Sequence, residues 1–407
     1  MVLAVVLVTS CGAPPSAATG PASTSRVSPT YATASSTPAS DSRSQPVTPS
    51  PPPTPTVTCV PGGVPTSMLL IPGQATVLYD TSDPLHPHVV CRLTNTYARI
   101  LTATAIEYLV PRPDGKTNVI LHALGSNNES VETVVDADLP GVNVGYFYTP
   151  ISMPPGSGVI AYAADGGTDA NGSTVVDVWI AIATGRTKAY SYSVPGVDSF
   201  GRPGLPPPVL GLSGDAQYVI AGWALKDVGL HVLRLSDHAD VTPPMPDGVR
   251  LGLWAPTGHT LYLVGSANVE AWSPETGVTT VTNTPTWILS PNFSPDGSQV
   301  AFTALTPSRD VRPYVYDLKA HSSRLLIDQP RSAVVFVKTG WIWDLEEKPC
   351  VTTDNNNCFD PTQPDGNVLA FNLATGQESP VVFGPGEAPS SAPGYTYLVP
   401  GDLWPRT

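Results

Sequence analysis

The chain has 407 residues, a formal charge of −13 at pH 7 and only 20 basic residues, none of them in a run. That balance argues against a nucleic-acid binder, which needs a cationic surface to displace phosphate counterions. No uninterrupted apolar stretch reaches the roughly 18 residues of a membrane-spanning helix.

In chain order, residues 1–10 come first. The apolar run Leu3–Val8 ends in Val8-Thr9-Ser10-Cys11. Small residues before a cysteine at the end of such a run resemble the bacterial lipobox. The resemblance implies diacylglycerol on the Cys11 sulfur, cleavage just before it, and an extracytoplasmic protein anchored to the cell membrane. The alternative is an ordinary signal peptide with a stray cysteine. Signal peptides normally open with a basic residue and none precedes Cys11, so a start codon further upstream is expected. Residues 11–58 are mostly Ser, Thr, Pro and Ala. Such a segment cannot bury enough apolar surface to offset its ordering entropy, so it is expected to be a disordered tether; an O-glycosylated stalk has the same composition.

Residues 59–407 form the body. Setting Cys11 aside leaves Cys59, Cys91, Cys350 and Cys358, an even number that suits disulfides in an exported protein. The expected pairing is Cys59–Cys91 and Cys350–Cys358. Zinc is the rival reading, disfavoured because no pair has the C-x-x-C spacing of a structural site.

A strand–turn–strand unit recurs along the body. In "FSPDGSQVAF" (293–302), Pro suits the first corner of a type I turn and Gly297 the left-handed position after it. "LSGDAQYVIAGWA", "WAPTGHTLYLVG" and "FVKTGWIWDL" align with it on Gly214, Gly258 and Gly340, at steps of 44, 39 and 43 residues. A looser copy starts at Met153. A third strand and a short fourth follow each hairpin, the fourth being "TKAYSYSV", "ADVTPP", "VTTVTN", "SRLLID" or "ESPVVF". Four strands about every 40 residues predict an all-β propeller. Five blades are clear from about 145 to 385, and degenerate ones at 66–97 and 98–136 bring the count to seven, with six and eight as neighbouring counts. "SMLLI" (67–71) and "YTYLVPGDLW" (395–404) are the candidates to close the ring. Two packed sandwiches are the alternative architecture.

The strand-SPDG-strand pattern resembles the WD40-like repeats of TolB-type propellers; only 293–302 matches that motif closely, while blade-level similarity covers about 64–385. The resemblance implies the fold and, more loosely, a role as a sensor or assembly factor.

Catalytic motifs are missing from the sequence. There is no G-x-S-x-G elbow, no phosphate-binding glycine loop and no H-E-x-x-H. Three polar insertions instead break the repeat, each between the second and third strands of a blade: 80–88, 165–174 and 346–366. Alternating strands would put all three on one face. This candidate binding face comprises Asp80, Asp83, His86, His88, Asp165, Asp169, Asn171, Asp354, Asn355 and Asp360. Asp165, Asp169 and Asn171 offer hard oxygens for Ca²⁺, although a plain turn is favoured and no cofactor is expected. His86 and His88 would make half a Zn²⁺ or Cu²⁺ site. The preferred function is a monomeric, lipid-anchored binding or scaffold module for envelope proteins or glycans; the alternative is a metal- or carboxylate-dependent hydrolase or lyase acting at the channel.

Overall fold

The computed structural model describes residues 54–404 apart from 61, 73–74, 127, 137–150, 195–208, 224–228, 246–250, 266–267, 284–287, 306–310, 347–366, 393–394 and 397–401. Cys11, the tether up to residue 53, and Cys350 and Cys358 lie outside them. All regular elements among the described residues are strands.

The first are β1 (Thr56–Cys59), β2 (Met68–Ile71), β3 (Ala75–Asp80) and β4 (His88–Thr94). Blade 2 is β5 (Ala98–Thr102), β6 (Ala105–Pro111), β7 (Thr117–Ala123) and β8 (Asn128–Val135). Blade 3 is β9 (Ile151–Ser152), β10 (Ile160–Thr168), β11 (Thr174–Ile182) and β12 (Gly185–Val194). Blade 4 has β13 (Val209–Leu212), β14 (Tyr218–Trp223) and β15 (Gly229–Arg234). Blade 5 is β16 (Leu251–Trp254), β17 (Leu261–Val264), β18 (Asn268–Ser273) and β19 (Gly277–Asn283). Blade 6 is β20 (Ile288–Phe293), β21 (Gln299–Leu305), β22 (Val311–Asp317) and β23 (Ser322–Leu325). Blade 7 is β24 (Arg331–Lys338), β25 (Trp341–Glu346), β26 (Val368–Asn372) and β27 (Glu378–Pro380). A small hairpin of β28 (Ser390–Ala392) and β29 (Tyr395–Thr396) precedes β30 (Asp402–Trp404). The fold is a seven-bladed β-propeller.

Both chain ends build blade 1, whose strands run in the order β1-β4-β3-β2-β30. Met68 pairs with Trp404 and Leu69 with Leu403, antiparallel. In the other blades the first strands gather around the axis, β9 beside β13, β13 beside β16 and β20 beside β24. β30 stands beside β24 and β5 in the same way. It is therefore the innermost strand of blade 1, and β2, β3 and β4 are the second, third and fourth. β1 is an additional outer strand, joined to β4 through the Cys59–Cys91 disulfide. The two segments nominated for closure do pair.

Blade 4 departs from the expected fourth strand. "ADVTPP" makes one bridge, Leu233 with Asp240, instead of a ladder. Val241 N donates to Val232 O at 2.8 Å, but Val232 N donates to the Thr242 side chain. Pro243 and Pro244 follow, and proline has no N–H with which to continue a ladder.

The core is distributed over the seams. Seven apolar clusters each sit between two neighbouring blades. A four-stranded sheet alone cannot cover both faces, and only the ring does so. The seam between blades 7 and 1 holds twelve buried apolar residues. Among the described residues, that between blades 5 and 6 holds five, Leu253, Val264, Phe302, Ala304 and Tyr316. A cavity of about 30 Å³ lies there, lined by apolar side chains including Leu253, Val264, Val281 and Phe293.

Candidate functional site

The repeat's turns are organised by a serine and an aspartate. Ser294 Oγ donates to Asp296 Oδ1 at 2.6 Å, Gly297 N to Ser294 O, and Ser298 N to Asp296 Oδ1. The same bonds join Ser213, Asp215, Ala216 and Gln217. The residue equivalent to Gly297 is thus Ala216, not Gly214. Ala216 takes φ 55°, beside φ 66° at Gly258 and at Gly297, and the repeat step becomes 42 residues, from 216 to 258. Gly214 is required for another reason: a Cβ there would lie 2.6 Å from Pro256 O in the next blade's turn.

The expectation that all three insertions share one face requires correction. Because β30 is innermost, residues 81–87 join the third and fourth strands of blade 1. Strand direction alternates across each sheet, so this loop lies at the end carrying the first-to-second-strand turns. The polar contacts agree. Ser67 Oγ and Thr81 Oγ1 both donate to Val337 O, at 3.0 and 2.7 Å, and Lys338 Nζ donates to Ser82 O at 2.9 Å, all beside the β24–β25 turn. The 169–173 turn of blade 3 and the ends of the 347–366 segment, where Glu346 N donates to Asn367 O, are true second-to-third connections and lie at the opposite end. The first strand of blade 1 in chain order is its second in space, because the innermost strand is supplied from more than 300 residues away.

Among the nominated residues, Asp80, Asp83, His86 and His88 come together. Asp83 Oδ1 accepts from Leu85 N, and Asp83 Oδ2 meets His86 Nδ1 at 3.0 Å. The hydrogen bond from His86 holds the Asp83 carboxyl below its ordinary range. His88 Nε2 lies 3.5 Å from Asp80. Each histidine of the proposed half-site therefore has a carboxylate of its own. Asp169 accepts from Ser173 N and Asn171 N, at 2.9 and 2.8 Å, and these bonds lower its pKa. Asp165 is on β10 beside a register shift. Asp354, Asn355 and Asp360 lie outside the described residues.

Loop 81–87 is clamped to blade 7. Trp343 Nε1 donates to Pro84 O at 2.8 Å and Val382 N to Leu85 O at 2.8 Å. Asp83 and His86 nevertheless keep 59% and 64% of their side chains exposed. On the same face, His259 is held between Asp215 at 2.6 Å and Glu275 at 3.0 Å. The Asp215 hydrogen bond raises the His259 pKa. The His259 cluster was not visible in sequence, since its three members lie in two blades and become neighbours only when the turns align.

No protein-family model matches the chain, and no curated protein does. Solved structures do match. The β-propeller domain of the trilobed protease from Pyrococcus furiosus is similar over 71% of this chain and 84% of its own, at 10% identity and a TM-score of 0.41. TolB from Acinetobacter baumannii is similar over 76% and 77%, at 12% identity and a TM-score of 0.38. A chain of the mitotic checkpoint complex is similar over 79% and 96%, at 12% identity and a TM-score of 0.39. The similarity is one of fold.

Proposed function

We propose that the protein is an exported module, anchored by lipid on Cys11, whose propeller binds a protein of the bacterial cell envelope. The face carrying loop 81–87 is the docking surface in this reading. The supporting observation is the clamped loop itself: a backbone fixed by Trp343, Lys338 and Val382 that still presents Asp83 and His86 to solvent. A preformed loop loses little entropy on binding, and loops on a rigid scaffold are favoured places for recognition. The His259 cluster gives the same face a second polar feature across the ring. The Ser/Thr/Pro-rich segment before the propeller serves as its spacer.

The test is site-specific photo-crosslinking in the native cell. A photoreactive residue at His86 is expected to capture a protein, and one at Asn171 on the other face is not. Capture from Asn171 alone would reverse the assignment, and glycan adducts in place of protein would change the partner class. Cys11→Ser should release the chain from the membrane fraction; a processed mutant still found there would contradict the anchor.

A further inference from the structure

β1 and β4 are cross-linked at a position that has a third potential ligand. Cys59 and Cys91 face each other across the ladder, and their sulfurs and a ring nitrogen of His122 all lie within 4.8 Å of one another. Among the described residues this is the one group of three His, Cys, Asp or Glu ligands so close together. His122 belongs to β7 of blade 2, so the group bridges two blades. Its side chain is 4% exposed. Nδ1 meets Glu129 Oε1 at 3.1 Å, and Glu129 is fixed in turn by the Tyr108 hydroxyl at 2.9 Å. A carboxylate only accepts, so Nδ1 carries a proton, and Nε2 is the ring nitrogen left to offer a lone pair to a metal. Nε2 is buried and has no hydrogen-bond partner. A buried acceptor without a donor is costly, and a histidine whose second nitrogen is oriented by a carboxylate is the usual arrangement of a metal ligand.

We propose that Cys59, Cys91 and His122 Nε2 form a redox-gated Zn²⁺ site. In the oxidised protein the sulfurs are bonded to each other and the site is closed. A dithiol reductant opens it: the Cys59–Cys91 bond breaks, the reductant's two thiols become a disulfide, and their two protons pass to the cysteine sulfurs. Zn²⁺ then displaces both thiol protons and is held by two thiolates and one imidazole, a soft set that suits zinc. Water fills the fourth position from the side of Cys59, which is only partly buried. In either state β1 stays tied to β4, so the point where the N-terminal segment enters the propeller is secured by a disulfide or by a metal.

The experiment uses the full chain with Cys11→Ser, Cys350→Ser and Cys358→Ser, so that only this pair of thiols remains. After anaerobic reduction, one equivalent of Co²⁺ should give thiolate-to-cobalt charge-transfer bands and the d–d bands of tetrahedral coordination, while the oxidised chain gives neither. X-ray absorption of the Zn²⁺ form should show two sulfurs at about 2.3 Å and one imidazole nitrogen at about 2.0–2.1 Å. That measurement needs no substitution of His122 and so does not depend on a variant folding. Glu129→Gln should weaken Zn²⁺ binding by about 10- to 100-fold. A spectrum without sulfur or without imidazole, or equal binding by the disulfide-bonded chain, would overturn the proposal.

Discussion

The seam between blades 7 and 1 and the seam between blades 5 and 6 do the same job with very different means. The first joins the two ends of the chain. It has twelve buried apolar residues, an edge-on aromatic trio of Tyr79, Trp343 and Phe383, and a set of side-chain bonds to backbone carbonyls. The second joins blades that follow one another in sequence, and among the described residues it has five buried apolar residues and a cavity. Blades linked by a short connection start close together. Closing the ring must instead overcome the entropy of a loop spanning nearly the whole propeller; the closure seam matches the seam between blades 1 and 2 in buried apolar residues and adds the side-chain bonds to backbone carbonyls.

The closure seam is most vulnerable at Trp343. Trp343→Ala removes the ring that packs on Tyr79 and Phe383 and the bond to Pro84, and should cost about 3–5 kcal/mol, read by denaturant unfolding. A loss below about 1 kcal/mol would mean the closure seam is not the reinforced one.

A third seam tests a different kind of weakness. Between blades 2 and 3, Glu107 is buried and accepts from Gly156 N at 3.2 Å. Burial, assisted by a hydrogen bond from Glu132, pushes its pKa up to about 7. A carboxyl whose pKa is raised in the folded state contributes stability that is complete below its unfolded value of 4.5 and is lost as pH climbs through about 7. Thermal unfolding should therefore show a decline between about pH 4.5 and 7, on the order of 1–3 kcal/mol. Glu107→Gln should flatten it; an unchanged profile in that variant would exclude Glu107 as the cause.

Two smaller changes sharpen the contrast at blades 5 and 6. Gly297, whose φ is 66°, lies near Pro256 across this seam. Gly297→Val should cost about 1–2 kcal/mol because a β-branched residue fits the left-handed region poorly. An unchanged melting temperature would argue against the turn. Smallest is a cavity-filling change: Val281→Ile should gain up to about 0.8 kcal/mol, whereas Val335→Ile in the tightly packed closure seam should cost about 1–3 kcal/mol. The same methylene having the same sign at both seams would erase the difference between them.

The repeat was readable in sequence because its turn chemistry is local. Ser294, Pro295, Asp296 and Gly297 fix a hairpin by themselves, and strands on either side follow from alternating apolar residues. The closing tail was readable for the same reason, as an apolar segment left over after the last blade. What escaped sequence reading depended on contacts between distant segments. Ala216 occupies a position where Gly was expected, so alignment on glycine slipped by two residues. The displaced strand count in blade 1 sent loop 81–87 to the wrong face. His122 carries no local signal in the sequence, and only the ring brings it against Cys59 and Cys91. Blade 4 lost its fourth ladder to two prolines whose effect depends on where strand β15 ends.

β30 supplies the innermost strand of blade 1, which both closes the ring and decides which face carries loop 81–87. The most direct test is a paired substitution, Met68→Cys with Trp404→Cys, at residues that oppose each other in the ladder. Opposed positions bring Cβ atoms to about 4.5–5.5 Å, so mild oxidation should form a 68–404 cross-link, detected by peptide mapping without reduction. Met68→Cys with Asp402→Cys should remain largely uncross-linked. If the 68–404 pair stays reduced in the folded protein, or if the 68–402 pair links in its place, the C-terminal strand does not close the propeller as described.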